Sequence, residues 1–293
     1  MSSSGTISIH KLGRALGAEV SGLDLRDQSG EAFQALRQAL LDHLVLVIRD
    51  QKLVPAEFLA LARRFGKVEP HALPQHHHPQ HREIEVLSNR SAESGKTPVA
   101  MDVATYWRSD YSYRDIPAKE TLLHALESPP HSGGTVFANL YDAYSLLPDL
   151  LKRRISTLQA IHNCDYRNRM QIEQYDIRER LNEQQRAHTP DAIHPVVRTH
   201  PLTRRPSLYV NPAYATGFVG MSDPESEALK EILFEYCMRA ELHYTHRWAQ
   251  GDVVIWDNRC TMHADSKDFS PDQHRTLWLC TVLGDKPYYI PAG

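Results

Sequence analysis

The chain has 293 residues, of which 41% are hydrophobic and 24% are charged, and its formal net charge is -3. This composition predicts a soluble globular protein with a substantial core. No long run of Lys or Arg occurs, so we expect neither nucleic acid nor an anionic membrane as a partner. The longest apolar run, HLVLVI, is far shorter than the roughly 20 residues that a membrane-spanning helix needs.

The cysteines and the first residues indicate a cellular compartment. Cys164, Cys237, Cys260 and Cys280 form no C-x-x-C pair, which predicts reduced, mostly buried thiols and a cytoplasmic location. The start, MSSSGTISIHKLG, lacks the basic and then apolar order of a signal peptide, so we expect none. Because the chain has 17 histidines, no single histidine indicates a metal site.

Strands and helices alternate in the first part of the chain. ISIHKL and GAEVSGLDL alternate apolar and polar residues, as half-buried strands do. GEAFQALRQALLDH has apolar residues at helical spacing, and LVLVIRD after it is typical of a buried strand. Pro55 and Gly66 bound a second helix, PAEFLALARRFG.

The middle of the chain mixes loops, strands and helices. From Val68 to Ala104 the sequence is rich in Pro, His and Ser and contains one predicted strand, EIEVLSN. ETLLHALE, the turn SPPHSGGT and VFANL are typical of a β-hairpin. A helix is predicted from about Tyr141 to Leu158, and IEQYDIRERLNEQQRA is predicted as a second, strongly charged helix.

Strands return in the last part. AIHPVVRTH and SLYVN flank the turn PLTRRP, and the helix DPESEALKEILFEYCMRA begins with Asp223 as its predicted cap and Pro224 at its first position. The final quarter is predicted as three strands. No repeat or low-complexity linker occurs, so we predict one domain over 1–293. Many short strands with peripheral helices predict a mainly β fold, a sandwich or a jelly-roll barrel.

Three separated residues fit one catalytic plan. Asp110 lies in TYWRSDYSY, His263 ends WDNRCTMH, and Arg275 begins the strand RTLWL. An oxygen-activating ferrous site typically uses two imidazoles and one carboxylate, which leaves three positions for co-substrate and oxygen. A nearby Arg can bind the distal carboxylate of a 2-oxo acid through two hydrogen bonds. By themselves, however, an Asp, a His and an Arg in a β protein are more often structural.

A resemblance to a known family decides between these interpretations. The chain resembles the TauD/TfdA family of Fe(II)- and 2-oxoglutarate-dependent dioxygenases over nearly its whole length. The resemblance is carried by GAEVSGLDL, LVLVIRDQ, LARRFGKVEPH, SGGTVFANLYDAY, THPLTRRPSLYVNP, WAQGDVVIWDNRCTMHAD and HRTLWLCTVLGDKPYY. It implies a double-stranded β-helix, a jelly roll surrounded by helices. It also implies oxidation of a small organic substrate, by hydroxylation or by desaturation or cyclisation.

The resemblance also implies roles for individual residues. Asp110 matches the metal-binding carboxylate, and His263 matches the distal metal-binding imidazole. Arg275 and Thr135 match the residues that hold the C5 carboxylate of 2-oxoglutarate, although the turn before Thr135 is one residue shorter here. His71 matches a histidine that contacts the substrate in taurine dioxygenase.

Two positions depart from the family pattern. Arg108 stands where the family has the proximal histidine, and a guanidinium has no lone pair for a metal, so we expect it to pair with Asp110. Leu279 stands where the taurine- and 2,4-D-cleaving members have an Arg that binds the anionic group of the substrate. A sulfonate or carboxylate substrate in the same pose is therefore not expected. Trp256 and Asn258 are expected to serve packing and turn structure.

Three functions stay open at this point. In the first, the protein is an oxygenase in which Asp110 and His263 bind iron, and water or another residue completes the site. His124 is the nearest candidate in sequence, although a buried structural histidine is favoured there. In the second, a non-catalytic relative binds a 2-oxo acid or another small ligand through Arg108 and Arg275. In the third, the site catalyses a metal-independent reaction. The matching residues favour the first function, and the sequence leaves a homo-oligomer open.

Overall fold

The structure is a computed structural model that describes residues 6–27, 29–70, 76–88, 106–129, 133–166, 169, 189–266 and 273–291. Within these residues the strands are β1 (Ser8–Lys11), β2 (Ala18–Ser21), β3 (Val45–Ile48), β4 (Val68–Glu69), β5 (His77–His78), β6 (His81–Ser88), β7 (Ala118–Glu127), β8 (Thr135–Asn139), β9 (Gln159–His162), β10 (Ala192–Pro195), β11 (Val197–Thr199), β12 (Pro206–Leu208), β13 (Ala215–Phe218), β14 (His243–His246), β15 (Val253–Asp257), β16 (Thr261–Asp265) and β17 (Thr276–Leu283).

The helices confirm some sequence predictions and correct others. They are α1 (Gly30–His43), α2 (Pro55–Phe65), α3 (Leu140–Ser145), α4 (Asp149–Ile155), α5 (Asp223–Cys237) and a 3-10 turn (Ala240–Leu242). The single helix predicted from Tyr141 to Leu158 is wrong, because the chain breaks before Pro148, whose ring disfavours a helical conformation in the residue before it. The predicted helix IEQYDIRERLNEQQRA lies outside the described residues.

The start of α5 also differs from the prediction. Ser222, and not Asp223, caps the helix: the Glu225 side chain accepts a hydrogen bond from the Ser222 backbone N–H at 3.0 Å. Ser and Glu at this spacing form a capping box, which satisfies backbone groups at the helix start. Asp223 instead places a negative charge in the first turn, where the helix dipole favours it.

Two sheets form the part of the fold that carries the site. The larger sheet has nine strands in the order β1-β2-β3-β15-β7-β17-β6-β5, with β4 paired to β17. A smaller sheet has the order β14-β8-β16, and the other described strands form β10-β9-β13 and the pair β11-β12. Phe137 of β8 packs against Trp256 of β15, with ring centres 5.4 Å apart, so the two sheets meet face to face. This is the predicted jelly roll.

Side-chain alternation gives the large sheet two different faces. On the outer face, Leu122 and Cys280 pack with Phe58 of α2 in one hydrophobic cluster. On the inner face, Leu123 and Leu277 share a second cluster with residues of β8 and β15. A side chain on the inner face therefore points toward the space between the sheets, and its neighbours in sequence point toward the helices.

Two further observations concern thiols and membranes. The four cysteines all lie in the described part of the chain and form no disulfide with one another, and Cys237, Cys260 and Cys280 are buried. The burial of three of the four agrees with the predicted mostly buried thiols. Among the described helices, none combines the length and the apolar character that crossing a membrane requires.

Candidate active site

Backbone hydrogen bonds join the segment of Arg108 and Asp110 to β16. The Arg108 N–H donates to the carbonyl oxygen of His263 at 2.9 Å, and the His263 N–H donates to the carbonyl oxygen of Arg108 at 2.8 Å. Tyr111 has a φ of 55°, in the left-handed region, so the chain turns directly after Asp110. The guanidinium of Arg114 covers the Tyr111 ring at 4.0 Å. The turn and the bridge together fix the positions of Arg108 and Asp110.

A closed hydrogen-bond network orients the Asp110 carboxylate. The Asp110 N–H donates to Oδ1 of Asn258 at 3.0 Å, and Oδ2 of Asp110 accepts a hydrogen bond from Oγ1 of Thr121 at 2.7 Å. Asn258 Nδ2 donates to the same Thr121 hydroxyl at 2.8 Å, and Trp256 Nε1 donates to Asn258 Oδ1 at 3.1 Å. Trp256 and Asn258 thus serve packing and turn structure as expected, and Asn258 also positions Asp110. The sequence analysis missed Thr121.

The second carboxylate oxygen of Asp110 faces two basic side chains. His263 Nε2 lies 3.5 Å and Arg108 Nε lies 3.6 Å from Oδ1 of Asp110. His263 is only 3% exposed, and its ring lies 4.9 Å from the Trp256 ring. The structure therefore brings the three residues Arg108, Asp110 and His263 together, and the predicted pairing of Arg108 with Asp110 is present.

Two of these three residues fit a metal ion. Adjacent ligand atoms, each about 2 Å from a metal ion, lie about 3 Å apart, close to the separation of His263 Nε2 and Asp110 Oδ1. Carboxylate and imidazole are suitable donors for Fe(II). Arg108 does not fit, because its guanidinium has no lone pair and keeps its positive charge at any physiological pH.

His124 does not complete this pair. Its Nε2 lies 3.2 Å from the Gln51 carbonyl oxygen, and its ring packs against Phe58 and Trp278 on the outer face of the large sheet. The interpretation of His124 as a buried structural histidine is therefore the one that fits. Strand alternation explains the result, because Thr121, three residues earlier on β7, points inward to Asp110.

Another possible ligand set lies elsewhere in the described residues: His200, Asp257 and Cys260. His200 Nδ1 accepts hydrogen bonds from the backbone N–H groups of Leu202 and Thr203, so Nε2 carries the ring proton and donates it to Asp257 at 3.0 Å. A protonated nitrogen cannot bind a metal.

Arg259 joins this second group of residues, and together they form a structural network of ion pairs. It donates to both oxygens of Asp257, at 2.8 and 2.6 Å. Burial alone would raise the pKa of Asp257, but the charges and hydrogen bonds of Arg259 and His200 hold that pKa well below its ordinary value. The carboxylate therefore stays ionised and paired, which is a structural role.

Arg275 and Thr135 lie together around one tryptophan. Trp248 Nε1 donates to Thr135 Oγ1 at 3.0 Å, and the Arg275 guanidinium carbon lies 5.6 Å from the centre of the Trp248 ring. Arg275 Nη1 also lies 3.7 Å from Oδ2 of Asp265, which is the register partner of Thr135. Asp265 and His263 are two residues apart on β16, so this group lies about 7 Å along the strand from His263.

This spacing matches the co-substrate that the resemblance implies. A five-carbon dicarboxylate can reach from a metal beside His263 to a cation beside Asp265. Arg275 supplies that cation, and the Thr135 hydroxyl accepts from Trp248 and keeps its own hydrogen to donate. Trp248 is a second residue that the sequence analysis missed. His71, the predicted substrate contact, lies outside the described residues.

The wall beside the candidate metal ligands contains a carboxylate that the sequence analysis also missed. Glu85 of β6 is the register partner of Leu279 on β17, and both are half-buried. Burial and the negative charge of Asp110 raise the pKa of Glu85 to about 7, and Arg108 acts in the opposite direction. The alternation of side chains along the strand EIEVLS could have indicated this residue. Because Ile84 faces outward, its neighbour Glu85 must face inward.

Comparisons with known proteins identify the family of this chain. The family model described as "Taurine catabolism dioxygenase TauD, TfdA family" matches residues 8–281. The chain is similar to pentalenolactone F synthase of Streptomyces avermitilis (32% identity over 290 residues, covering 94% of this chain and 93% of the relative). It is also similar to (S)-phenoxypropionate/alpha-ketoglutarate-dioxygenase of Sphingobium herbicidovorans (31% over 287 residues, covering 94% and 95%).

A solved structure extends the likeness to three dimensions. The crystal structure of AAD-2 in complex with Mn(II) and N-oxalylglycine superposes with a TM-score of 0.81 at 31% identity, and the match covers 96% of this chain and 99% of AAD-2. The sequence match and the fold indicate the same family, and the arrangement of Asp110, His263, Thr135 and Arg275 is consistent with it. The chain belongs to the TauD/TfdA family of Fe(II)- and 2-oxoglutarate-dependent dioxygenases, which oxidise small organic substrates.

Proposed function

We propose that this 2-oxoglutarate-dependent oxygenase holds its iron with two protein ligands, Asp110 and His263, and that Arg108 replaces the third. The observation that carries the proposal is the convergence of His263 Nε2 and Arg108 Nε on one oxygen of Asp110, at 3.5 and 3.6 Å. Iron and 2-oxoglutarate supply the oxidising power that converts a C–H bond of the substrate, with hydroxylation as the default result and desaturation or cyclisation as further results.

The residues at the far end bind the co-substrate. Arg275 would donate two hydrogen bonds to the C5 carboxylate, and the Thr135 hydroxyl would donate one more. Trp248 supports both residues, since its ring lies beside the guanidinium and its N–H occupies a lone pair of the Thr135 hydroxyl. Binding at two ends fixes the orientation of the co-substrate relative to Asp110.

Arg108 changes the properties of the metal site in two ways. Its charge repels a cation at the position where the lone pair of a histidine would bind one. Its Nε–H also competes with the metal for Oδ1 of Asp110. We therefore infer weak iron binding compared with a site that has three ligands, because even the loss of a residue that orients a ligand costs about 10–100-fold in metal affinity.

The same observation supports a second function. A guanidinium beside Asp110 can replace the positive charge of the metal and bind a carboxylate of a 2-oxo acid, with Arg275 binding the other end. The protein would then be a binding protein or a metal-independent enzyme. His263 favours the oxygenase, since a purely anion-binding site has no need of an imidazole.

Anaerobic titration with Fe(II) and 2-oxoglutarate distinguishes these functions. We expect the weak visible charge-transfer band of the iron chelate, and we expect His263→Ala to abolish it. His10→Ala serves as the control, since His10 is exposed on β1. If 2-oxoglutarate binds without metal, no band forms, and binding depends on both Arg108 and Arg275, the second function is correct and the two-ligand metal site is wrong.

Further predictions rest on the same site. Leu279 supports the prediction that a carboxylate or sulfonate substrate is not held in the pose of the anion-cleaving relatives. His71 stays a predicted substrate contact. We also propose that residues 1–293 form one domain and that the protein is cytoplasmic. We propose a small-molecule substrate as its partner, and neither nucleic acid nor a membrane. Sedimentation would test whether the protein forms a homo-oligomer.

A further inference from the structure

Three buried side chains on two neighbouring strands support the Asp110 carboxylate. Trp256 of β15 is the register partner of Thr121 on β7, and Asn258 directly follows β15. The Asn258 N–H donates to the Lys119 carbonyl oxygen at 2.7 Å and so continues the pairing of these strands. Thr121, Trp256 and Asn258 are each at most 1% exposed. Bulk water therefore does not compete for their hydrogen bonds.

The donors in this group fix the direction of each hydrogen bond. Asn258 Oδ1 accepts from two groups that can only donate, the Asp110 N–H at 3.0 Å and the Trp256 Nε1–H at 3.1 Å. The other end of the amide is therefore its NH2 group, which donates to Thr121 Oγ1 at 2.8 Å. The single hydroxyl hydrogen of Thr121 then goes to Oδ2 of Asp110, at 2.7 Å, because a carboxylate only accepts.

The two oxygens of Asp110 consequently have different surroundings. Oδ2 is held by the Thr121 hydroxyl, whereas His263 Nε2 lies 3.5 Å from Oδ1. If both oxygens turned toward a metal beside His263, Oδ2 would leave Thr121, and the buried hydroxyl would lose its acceptor. Leaving a buried donor without an acceptor is unfavourable. The hydrogen bond from Thr121 thus opposes metal binding through both oxygens.

This restraint matters because Arg108 leaves the metal site one ligand short. A carboxylate can bind a metal through one oxygen or through two, and the second mode would supply the missing donor atom. We propose that Thr121 is a positioning residue that commits Oδ1 of Asp110 alone to the metal and so keeps an additional coordination position open. This inference deepens the proposed function and rests on it, because it concerns the same two-ligand metal site.

The coordination of Mn(II) in the wild-type protein is the first test. The protein is loaded with Mn(II) and 2-oxoglutarate without oxygen. A crystal structure gives the distance from each Asp110 oxygen to the metal, and water-proton relaxation counts the waters on Mn(II) in solution. We expect Oδ1 at about 2.2 Å and Oδ2 beyond ligand distance. Asp110 and His263 supply two donor atoms and 2-oxoglutarate two more, so an octahedral metal should keep about two waters.

Substitutions at Thr121 are the second test. Thr121→Val removes the hydroxyl and keeps the shape of the side chain. We expect both Asp110 oxygens within about 2.5 Å of the metal in this variant and the loss of about one bound water. Thr121→Ser keeps the hydroxyl and should give the wild-type result.

Thr199→Val is the matched control for these variants. Thr199 is also a buried threonine, and its hydroxyl accepts a hydrogen bond from the Ile290 N–H at 2.9 Å. Its loss should leave the metal coordination and the water count unchanged.

Each outcome decides the proposal. Wild-type protein in which Oδ2 or both oxygens bind Mn(II) overturns it, and this result does not depend on whether Thr121→Val folds. A Thr121→Val protein with wild-type coordination and water count overturns it too, as does a Thr121→Ser protein that behaves like Thr121→Val. Wild-type protein that binds no Mn(II) at Asp110 and His263 overturns the proposed metal site as well, so the two failures are distinguished in the same samples.

Discussion

Arg108 is the largest departure from the family pattern that the sequence predicts in the proposed site. Its backbone forms an antiparallel β-bridge with His263 through two hydrogen bonds of 2.9 and 2.8 Å. The backbone at this position is therefore well ordered by strand pairing. Only the side chain differs from the one that the family pattern has at this position. A single substitution should therefore restore a third ligand without rearrangement of the backbone.

Arg108→His is expected to raise the affinity for Fe(II) by about 10-fold or more, because it adds an imidazole donor and removes a repelling charge. The measurement is an anaerobic Fe(II) titration in the presence of 2-oxoglutarate. Arg114→His is the control, since Arg114 lies in the same segment but stacks on Tyr111. An unchanged affinity in Arg108→His would show that this position does not reach the metal.

At the scale of elements, the co-substrate end of the site depends on contacts between separate segments. Trp248 follows β14, Thr135 begins β8, and Arg275 immediately precedes β17. The Trp248–Thr135 hydrogen bond spans 113 residues of sequence. Trp248 is 2% exposed, so its ring is held by packing and can fix the two partner side chains. We therefore regard Trp248 as a positioning residue.

Trp248→Phe keeps an aromatic ring near Arg275 and removes the hydrogen bond to Thr135. We expect binding of 2-oxoglutarate to weaken by about 2- to 10-fold, the effect of one neutral hydrogen bond, while Fe(II) binding alone stays unchanged. Isothermal calorimetry measures both. Trp278→Phe is the matched control, because Trp278 packs on Phe58 at the outer face. Equal losses in the two variants would contradict a specific role for Trp248.

At the scale of the whole molecule, buried carboxyls connect stability to pH. The pKa values of Glu85 and Glu120 are both raised from 4.5 to about 7, with burial as the largest cause for each. Because these carboxyl pKa values are raised in the folded state, the folded protein binds more protons than the unfolded chain between pH 4.5 and about 7. The free energy of unfolding should therefore fall as the pH rises from about 4.5 to 7.

Glu85→Gln tests this linkage because an amide does not titrate. The charged and titratable groups around Glu85 include Arg108, Asp110, Tyr111 and His77, the register partner of Glu85 on β5. We expect the variant to be more stable than wild type toward urea at pH 8, and the difference to shrink at pH 5.5. Glu83→Gln should show the opposite sign at pH 8, since Glu83 loses an ion pair with Arg63. A difference for Glu85→Gln that does not depend on pH would contradict the raised pKa.

The sequence alone determined the family, the mainly β fold and most of the elements around the site. Period-2 patterns such as LVLVI and helical spacing in PAEFLALARRF are local properties, so they can be seen without the fold. The proposed iron and co-substrate residues Asp110, His263, Thr135 and Arg275 were predicted because each lies in a local motif that resembles the family. The broken helix after Tyr141 was missed because Pro148 was not weighed against the apolar pattern around it.

Only the tertiary structure decided which other side chains share the site. Thr121 and Asn258 are 137 residues apart and meet at Asp110 because β7 and β15 are adjacent strands. Glu85 reaches the site through the pairing of β6 with β17. Strand pairing between distant segments depends on how the whole chain buries its apolar surface, and a one-residue change of register would turn each of these side chains to the opposite face. Local sequence contains no such information, and the register of the sheet supplies it.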